Sequence, residues 1–179
     1  MPCTIVRYRT GVSFRNKIYL DANFLIYSRN RRSNKFKPAR ELLVNLLTQR
    51  INLFITNLVI DEVCWTLLRQ YYKNDTGQPL DASMVKTNPS IVLPRYYNRV
   101  SLVVSQILRF NRLVVASDQI NSRELIHEAI SLMSSESLMP RDSFHLAFIN
   151  KLNIDGFVTS DNDFDHLTLP SKNLIVYKF

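Results

Sequence analysis

Short β-favouring apolar runs alternate along this chain with stretches whose apolar residues recur at helical spacing, and few architectures accept that alternation. The runs are Ile18-Tyr19-Leu20, Leu53-Phe54-Ile55, Leu113-Val114-Val115-Ala116, Phe157-Val158-Thr159 and Leu174-Ile175-Val176-Tyr177. Between the first two, Leu42, Leu43, Leu46 and Leu47 follow Pro38 at helical spacing; after the second come Ile60, Val63, Cys64, Leu67, Leu68 and Tyr71 on one helical stripe. Further helices are expected over Tyr96 to Phe110, over Glu124 to Met133, and from Pro140 onward. Strands alternating with helices imply a mainly parallel sheet covered by helices on both faces, a three-layer α/β/α, Rossmann-like arrangement. A chain of 179 residues forms one domain of this kind, expected over 17–179, with 1–16 as an N-terminal extension able to add an edge strand. The stretch 73–94 holds Gly77, Pro79, Pro89 and Pro94 without a sustained period and is expected as a loop or flap insertion. Ser117 or Asp118 is expected to cap the element after the third run.

Composition removes several classes of function. With 3 glycines, neither a P-loop nor a dinucleotide loop is available. No apolar run is long enough to span a bilayer and the N-terminus lacks a signal-peptide core, so a cytoplasmic protein without membrane contact is expected. Cys3 and Cys64 have no metal or redox spacing, and Cys64 falls on an apolar helix face. The formal net charge of +8 points to an anionic partner, nucleic acid first, or to a solvated basic surface. The charge is densest at Arg29, Arg31, Arg32, Lys35, Lys37 and Arg40, which follow the first strand and are placed to contact phosphate.

The acids carry the chemistry. Asp21 stands at the end of the first strand, and ligands of open α/β sheets bind outside the carboxyl ends of strands. The competing reading of Asp21 is a helix N-cap. Glu62 lies off the apolar stripe of its helix, on the side of Leu58, Trp65 and Arg69. Asp142 sits in the first turn of its helix, where the dipole favours an ionised carboxylate. Asp161, Asp163 and Asp165 follow the strand that ends at Thr159. In a parallel sheet these places share one edge, so the acids can converge. Clustered carboxylates raise one another's pKa unless a cation neutralises them, and Mg²⁺ or Mn²⁺ suits an oxygen-rich cluster. On a basic chain such a site fits phosphodiester cleavage by metal-activated water. His145 lies one helical turn after Asp142, within reach of the site, with a packing histidine as the expected reading.

Four segments together resemble the PIN-domain nucleases, most closely the VapC-type toxin ribonucleases: Ile18-Tyr19-Leu20-Asp21-Ala22-Asn23-Phe24-Leu25, Thr56-Asn57-Leu58-Val59-Ile60-Asp61-Glu62-Val63, Arg141-Asp142-Ser143-Phe144-His145-Leu146-Ala147, and Phe157-Val158-Thr159-Ser160-Asp161-Asn162-Asp163-Phe164. The resemblance covers Lys17 to the C-terminus. It implies a PIN-like fold and a Mg²⁺- or Mn²⁺-dependent endoribonuclease, a homodimer with RNA as substrate and a cognate antitoxin as partner. Asp21 and Asp142 would be the principal ligands, and Glu62 and Asp161 would bind a second ion or its waters, with Asp163 competing for the fourth place. Asn23 and Thr159 would hydrogen-bond ligands or water, and Arg29, Arg31, Arg32, Lys35 and Lys37 would bind RNA. The segments 1–16 and 73–94 exceed a compact toxin of that type. They keep two other roles open: a PIN nuclease of RNA processing or decay without an antitoxin, and a catalytically silent nucleic-acid-binding scaffold.

Overall fold

A computed structural model describes residues 3–9, 11–116, 121–168 and 173–179. Ser117 and Asp118 lie outside the described residues. The strands are β1 (Thr4–Arg7), β2 (Lys17–Leu20), β3 (Asn52–Ile55), β4 (Leu113–Val115), β5 (Gly156–Val158) and β6 (Ile175–Lys178). They form one sheet in the order β1-β6-β5-β2-β3-β4, every neighbouring pair parallel. The helices are α1 (Ala22–Tyr27), α2 (Phe36–Thr48), α3 (Asn57–Thr76), α4 (Ala82–Thr87), α5 (Pro89–Leu108), α6 (Ser122–Ser135) and α7 (Pro140–Lys151). The fold is a three-layer α/β/α arrangement around a parallel sheet.

Ile18, Tyr19 and Leu20 are fully buried, as a central parallel strand requires when both faces are covered. From β2 the chain builds outward through β3 to β4, then returns to the other side of β2 to lay down β5 and β6. The order therefore reverses between β2 and β5, the place where open α/β sheets part their loops to make a crevice. Gly156 lets these two strands lie close: a Cβ there would stand 2.9 Å from Ile18 Cγ1. The register sets Leu20 beside Val158, and the Asp21 amide donates to the Val158 carbonyl at 3.1 Å.

The described residues before Lys17 are tied to the sheet. β1 pairs with β6 at the edge, Phe14 packs on Tyr177 with ring centroids 5.3 Å apart, and the Arg15 amide donates to the Tyr177 hydroxyl at 3.1 Å.

The stretch 73–94, expected as a loop, is largely helical. α3 runs through to Thr76 and ends at Gly77, whose φ of 74° is the left-handed conformation that glycine adopts freely. Asp81 caps α4 by accepting from the Ser83 amide at 2.8 Å, and Pro89 occupies the first turn of α5. The breakers punctuate helices here rather than replacing them. Leu80 and Val92 close with Leu68 and Tyr96 into a small second hydrophobic cluster beside Trp65 and Tyr72. Among the described residues no helix is long and apolar enough to cross a membrane.

Candidate metal centre

Asp21 is the first residue after β2. It occupies the N-cap position of α1, yet its carboxylate makes no capping hydrogen bond. It is turned instead toward β5, where Thr159 donates its hydroxyl to Asp21 Oδ2 at 2.5 Å. The Thr159 oxygen in turn accepts from the Asp161 amide at 3.0 Å and from Asn23 Nδ2 at 3.3 Å, so all its hydrogen-bonding capacity is used. Asn23 Oδ1 accepts from the Ser160 amide at 3.3 Å, which ties the start of α1 to the loop after β5. Asn23 and Thr159 thus hold the two strand ends together and aim Asp21.

Glu62 stands in the second turn of α3, its side chain 17% exposed. Its Oε2 meets His145 Nε2 at 3.2 Å, and Arg141 approaches Oε1 at 3.6 Å. His145, on α7, is 3% exposed. Its Nδ1 lies 2.8 Å from the Tyr19 hydroxyl, which lies 2.9 Å from the Thr56 hydroxyl. Tyr19 and Thr56 are fully buried. A neutral imidazole has one N–H to place: on Nε2 it donates to Glu62 while Nδ1 accepts from Tyr19, and on Nδ1 it donates to the Tyr19 hydroxyl and leaves the Nε2 lone pair for an ion. Thr56, the N-cap residue of α3, likewise spends its side chain on this chain rather than on the cap.

Asp21, Glu62 and His145 bring one ligand atom each to within 4.8 Å of one another. No other group of three or more such residues does so among the described residues. Asp142 and Asp161 line the same cleft, of about 480 Å³, with Asn23, Trp65, Arg69 and Arg141. Burial pushes the Asp21 carboxyl above its ordinary range, and Glu62 adds to this; His145, the Thr159 hydroxyl and the Ala22 backbone oppose it. The half-buried Asp142 is pushed up to about 6, by burial first and then by Asp161, with Asp163 and Asp21 adding and His145 opposing. Asp161 accepts the Asp163 amide at Oδ1, at 3.0 Å, and so caps the 3-10 turn Asn162–Phe164. Asp163 is exposed.

All four expected acids therefore line one cleft, in two groups. Asp21 and Glu62 meet at its buried base with His145, and Asp142 stands with Asp161 along the side; Asp163 does not line the cleft. Of the basic run, Arg29, Arg31 and Arg32 line an adjoining cavity, while Lys35 and Lys37 line neither. Tyr19, Thr56, Arg69 and Arg141 were not expected at the site, and His145, expected as a packing histidine within reach of it, lies in it. A phenol inside a fully apolar central strand was the available signal, since a buried tyrosine hydroxyl needs a partner.

The sequence profile of the PIN domain matches residues 18–169. The chain belongs to the PIN-domain family. Two solved structures share this PIN fold at low identity. One is VapC20 of Mycobacterium tuberculosis, described as a sarcin-ricin loop cleaving toxin; it is 15% identical with a TM-score of 0.50, over 82% of this chain and 92% of that one. The other is VapBC2 of Rickettsia felis bound to a DNA fragment from its promoter; it is 14% identical with a TM-score of 0.53, over 91% of this chain and 98% of that one. No curated protein sequence matches the chain significantly. As a PIN domain with a cluster able to coordinate a divalent ion, the chain has the equipment of a nuclease.

Proposed function

We propose that this PIN domain is a metal-dependent endoribonuclease, acting as the toxin half of a toxin–antitoxin pair. The observation that carries the reading is the buried group of Asp21, Glu62 and His145 at the strand-order reversal, with Asp142 and Asp161 beside it. Two carboxylates and an imidazole fit a divalent cation, and the raised carboxyls of Asp21 and Asp142 mark a site short of positive charge. Asp21, Glu62 and His145 would hold the ion. An imidazole in the donor set favours Mn²⁺ over Mg²⁺. Such an ion supplies an activated water at neutral pH and charge stabilisation for the phosphate.

The chain's own side chains do the remaining work. Thr159 fixes the Asp21 carboxylate, and the Tyr19–His145 contact fixes Glu62 from behind. Asp142 and Asp161, which line the cleft, would orient water there or share a second ion. Arg69 lines the cleft with no carboxylate partner among the described residues, and is free to meet a phosphate oxygen. Arg141 is held between Asp61 at 3.4 Å and Glu62 at 3.6 Å, which balances charge at the rim. The basic balance of the chain suits RNA. An antitoxin protein and a second copy of the chain are the partners we assign; the Rickettsia relative, a VapBC2 pair solved on promoter DNA, supports the first.

The test is cleavage of a mixed pool of single-stranded and structured RNA, with Mn²⁺, with Mg²⁺ and with EDTA, for wild type, Asp21→Asn and Asp142→Asn. Metal-dependent cutting by wild type alone is the expected result. Cutting that survives EDTA or both substitutions would overturn the metal mechanism.

A further inference from the structure

Beside the cleft lies a second cavity of about 320 Å³, walled by α1, α3, α5 and the loop after α1. The two cavities share Ile26, Asn30 and Gln70. Its charged lining is all basic, Arg29, Arg31 and Arg32, and its neutral polar lining is Asn30, Gln70 and Asn74.

Arg29 differs from the rest of the basic run. Arg31 and Arg32 are exposed, whereas Arg29 is half-buried. One of its terminal nitrogens donates to Gln106 Oε1 at 2.6 Å, and its guanidinium lies 5.6 Å from the centre of the Phe110 ring. Its Nε is buried without any hydrogen-bond partner. Among the described residues no carboxylate comes within ion-pair distance of it. Burial depresses the Arg29 pKa, the neighbouring Arg40 cation adds to this, and Tyr71 opposes it. A partly desolvated guanidinium with an idle donor and no counter-charge is costly. An arginine fork is also the group that binds phosphate oxygens with two parallel hydrogen bonds.

We propose that Arg29 anchors a phosphate subsite for the RNA strand, adjoining the metal centre, with Arg31 and Arg32 at its mouth. The shared wall lets one polyanion occupy both cavities, and the neutral amides around Arg29 offer hydrogen bonds without adding charge. This rests on the ribonuclease reading, and it separates Arg29, a built contact, from Lys35 and Lys37, which stay outside both cavities.

Fluorescence anisotropy of a fluorescein-labelled 20-nucleotide mixed-sequence single-stranded RNA, in EDTA and across a salt series, tests this without cleavage. Arg29→Gln should weaken binding about tenfold, the scale of one charge-assisted contact, and make the salt slope shallower by about 0.7. Arg29→Lys keeps the charge, loses the fork and should fall between, which also reads the site if the glutamine variant misfolds in a thermal melt. Arg123→Gln, an exposed arginine outside both cavities, should bind as wild type does. Equal affinity and slope for folded Arg29 variants and wild type would overturn the subsite, as would the absence of salt-dependent RNA binding by wild type. A labelled hexaglutamate peptide that binds wild type but not Arg29→Gln, with RNA binding alike to both, would overturn the RNA assignment in favour of an acidic protein segment. Because cleavage is never read, a failed nuclease activity leaves the binding result standing. Normal cleavage with unchanged binding would overturn the subsite alone.

Discussion

Asp21 and Asp161 follow the two strands at the centre of the sheet, yet their carboxylates are held in opposite ways. Asp21 is 7% exposed and makes no capping bond, although it stands at the head of α1. Its oxygen takes a 2.5 Å hydrogen bond from the neighbouring strand end. Asp161 is half-buried and spends Oδ1 on the Asp163 amide, capping the turn that follows. A single hydroxyl, that of Thr159, connects them: it donates to Asp21 and accepts from the Asp161 amide. The cap reading of a strand-end acid thus fits Asp161 and fails for Asp21. An acid's role follows from what its oxygens touch, not from its distance beyond a strand. On this comparison we propose Asp21 as the primary ligand, while Asp161 shapes the loop beside the cleft.

The largest effect expected is that of Asp21→Asn. RNA cleavage should fall by about three orders of magnitude, the loss of several kcal/mol of charge stabilisation. The same substitution should stabilise the metal-free protein. The Asp21 carboxyl is raised by folding, so above its unfolded pKa the folded state resists ionisation and loses stability as pH rises. Asparagine removes that cost, and the melting temperature in EDTA at pH 7 should rise by about 2–4 °C for each kcal/mol recovered. A lower melting temperature would mean that Asp21 is chiefly structural.

Next in size is Thr159→Val, which removes the bond that aims Asp21. Metal affinity should fall by about 10–100-fold, the usual loss when a group orienting a ligand is removed, as read by isothermal titration with Mn²⁺. The chain should stay folded, which circular dichroism checks.

A smaller effect belongs to pH. Asp142 keeps its proton up to about 6. Cleavage at limiting metal should therefore rise about tenfold from pH 5 to pH 7, on a slope of one proton. Mn²⁺ favours the ionised form, so raising it should move the midpoint down. The sign for stability is opposite. The unfolded carboxyl ionises near 3.8 and the folded one near 6, so stability in EDTA should fall across that window and level off above it. Asp142→Asn, which should not cut, should flatten the stability profile.

The smallest effect expected is that of Asp163→Ala. Its side chain is exposed, and it serves Asp161 through its backbone amide, which alanine keeps. Cleavage within about threefold of wild type is the expected outcome, since surface changes of this kind cost little. A loss as large as that of Asp21→Asn would reverse the ranking of the acids.

The sheet and the acid edge were legible in the sequence because both depend on local signals. Apolar runs such as Ile18-Tyr19-Leu20 read as strands, and carboxylates at their ends were set on one edge by the parallel topology. Two things were not legible. Gly77 and Pro89 look like loop residues in sequence, but as a helix C-cap and a first-turn proline they are helix punctuation, and only the packing of Leu80 and Val92 against Tyr96 decides between the two. His145 looks like any apolar-face histidine, because its partners Tyr19 and Glu62 lie 126 and 83 residues away in the chain. Contacts of that separation leave no periodic trace.

We propose that the buried group of Asp21, Glu62 and His145, rather than the rim around Asp161, seats the first ion. Electron paramagnetic resonance titration of Mn²⁺ against wild type, Asp21→Asn and Asp161→Asn tests it most directly. A stoichiometric bound signal is expected for wild type, a weakened but present one for Asp161→Asn, and none for Asp21→Asn at equal concentrations. Binding by Asp21→Asn equal to wild type, with Asp161→Asn empty, would contradict it.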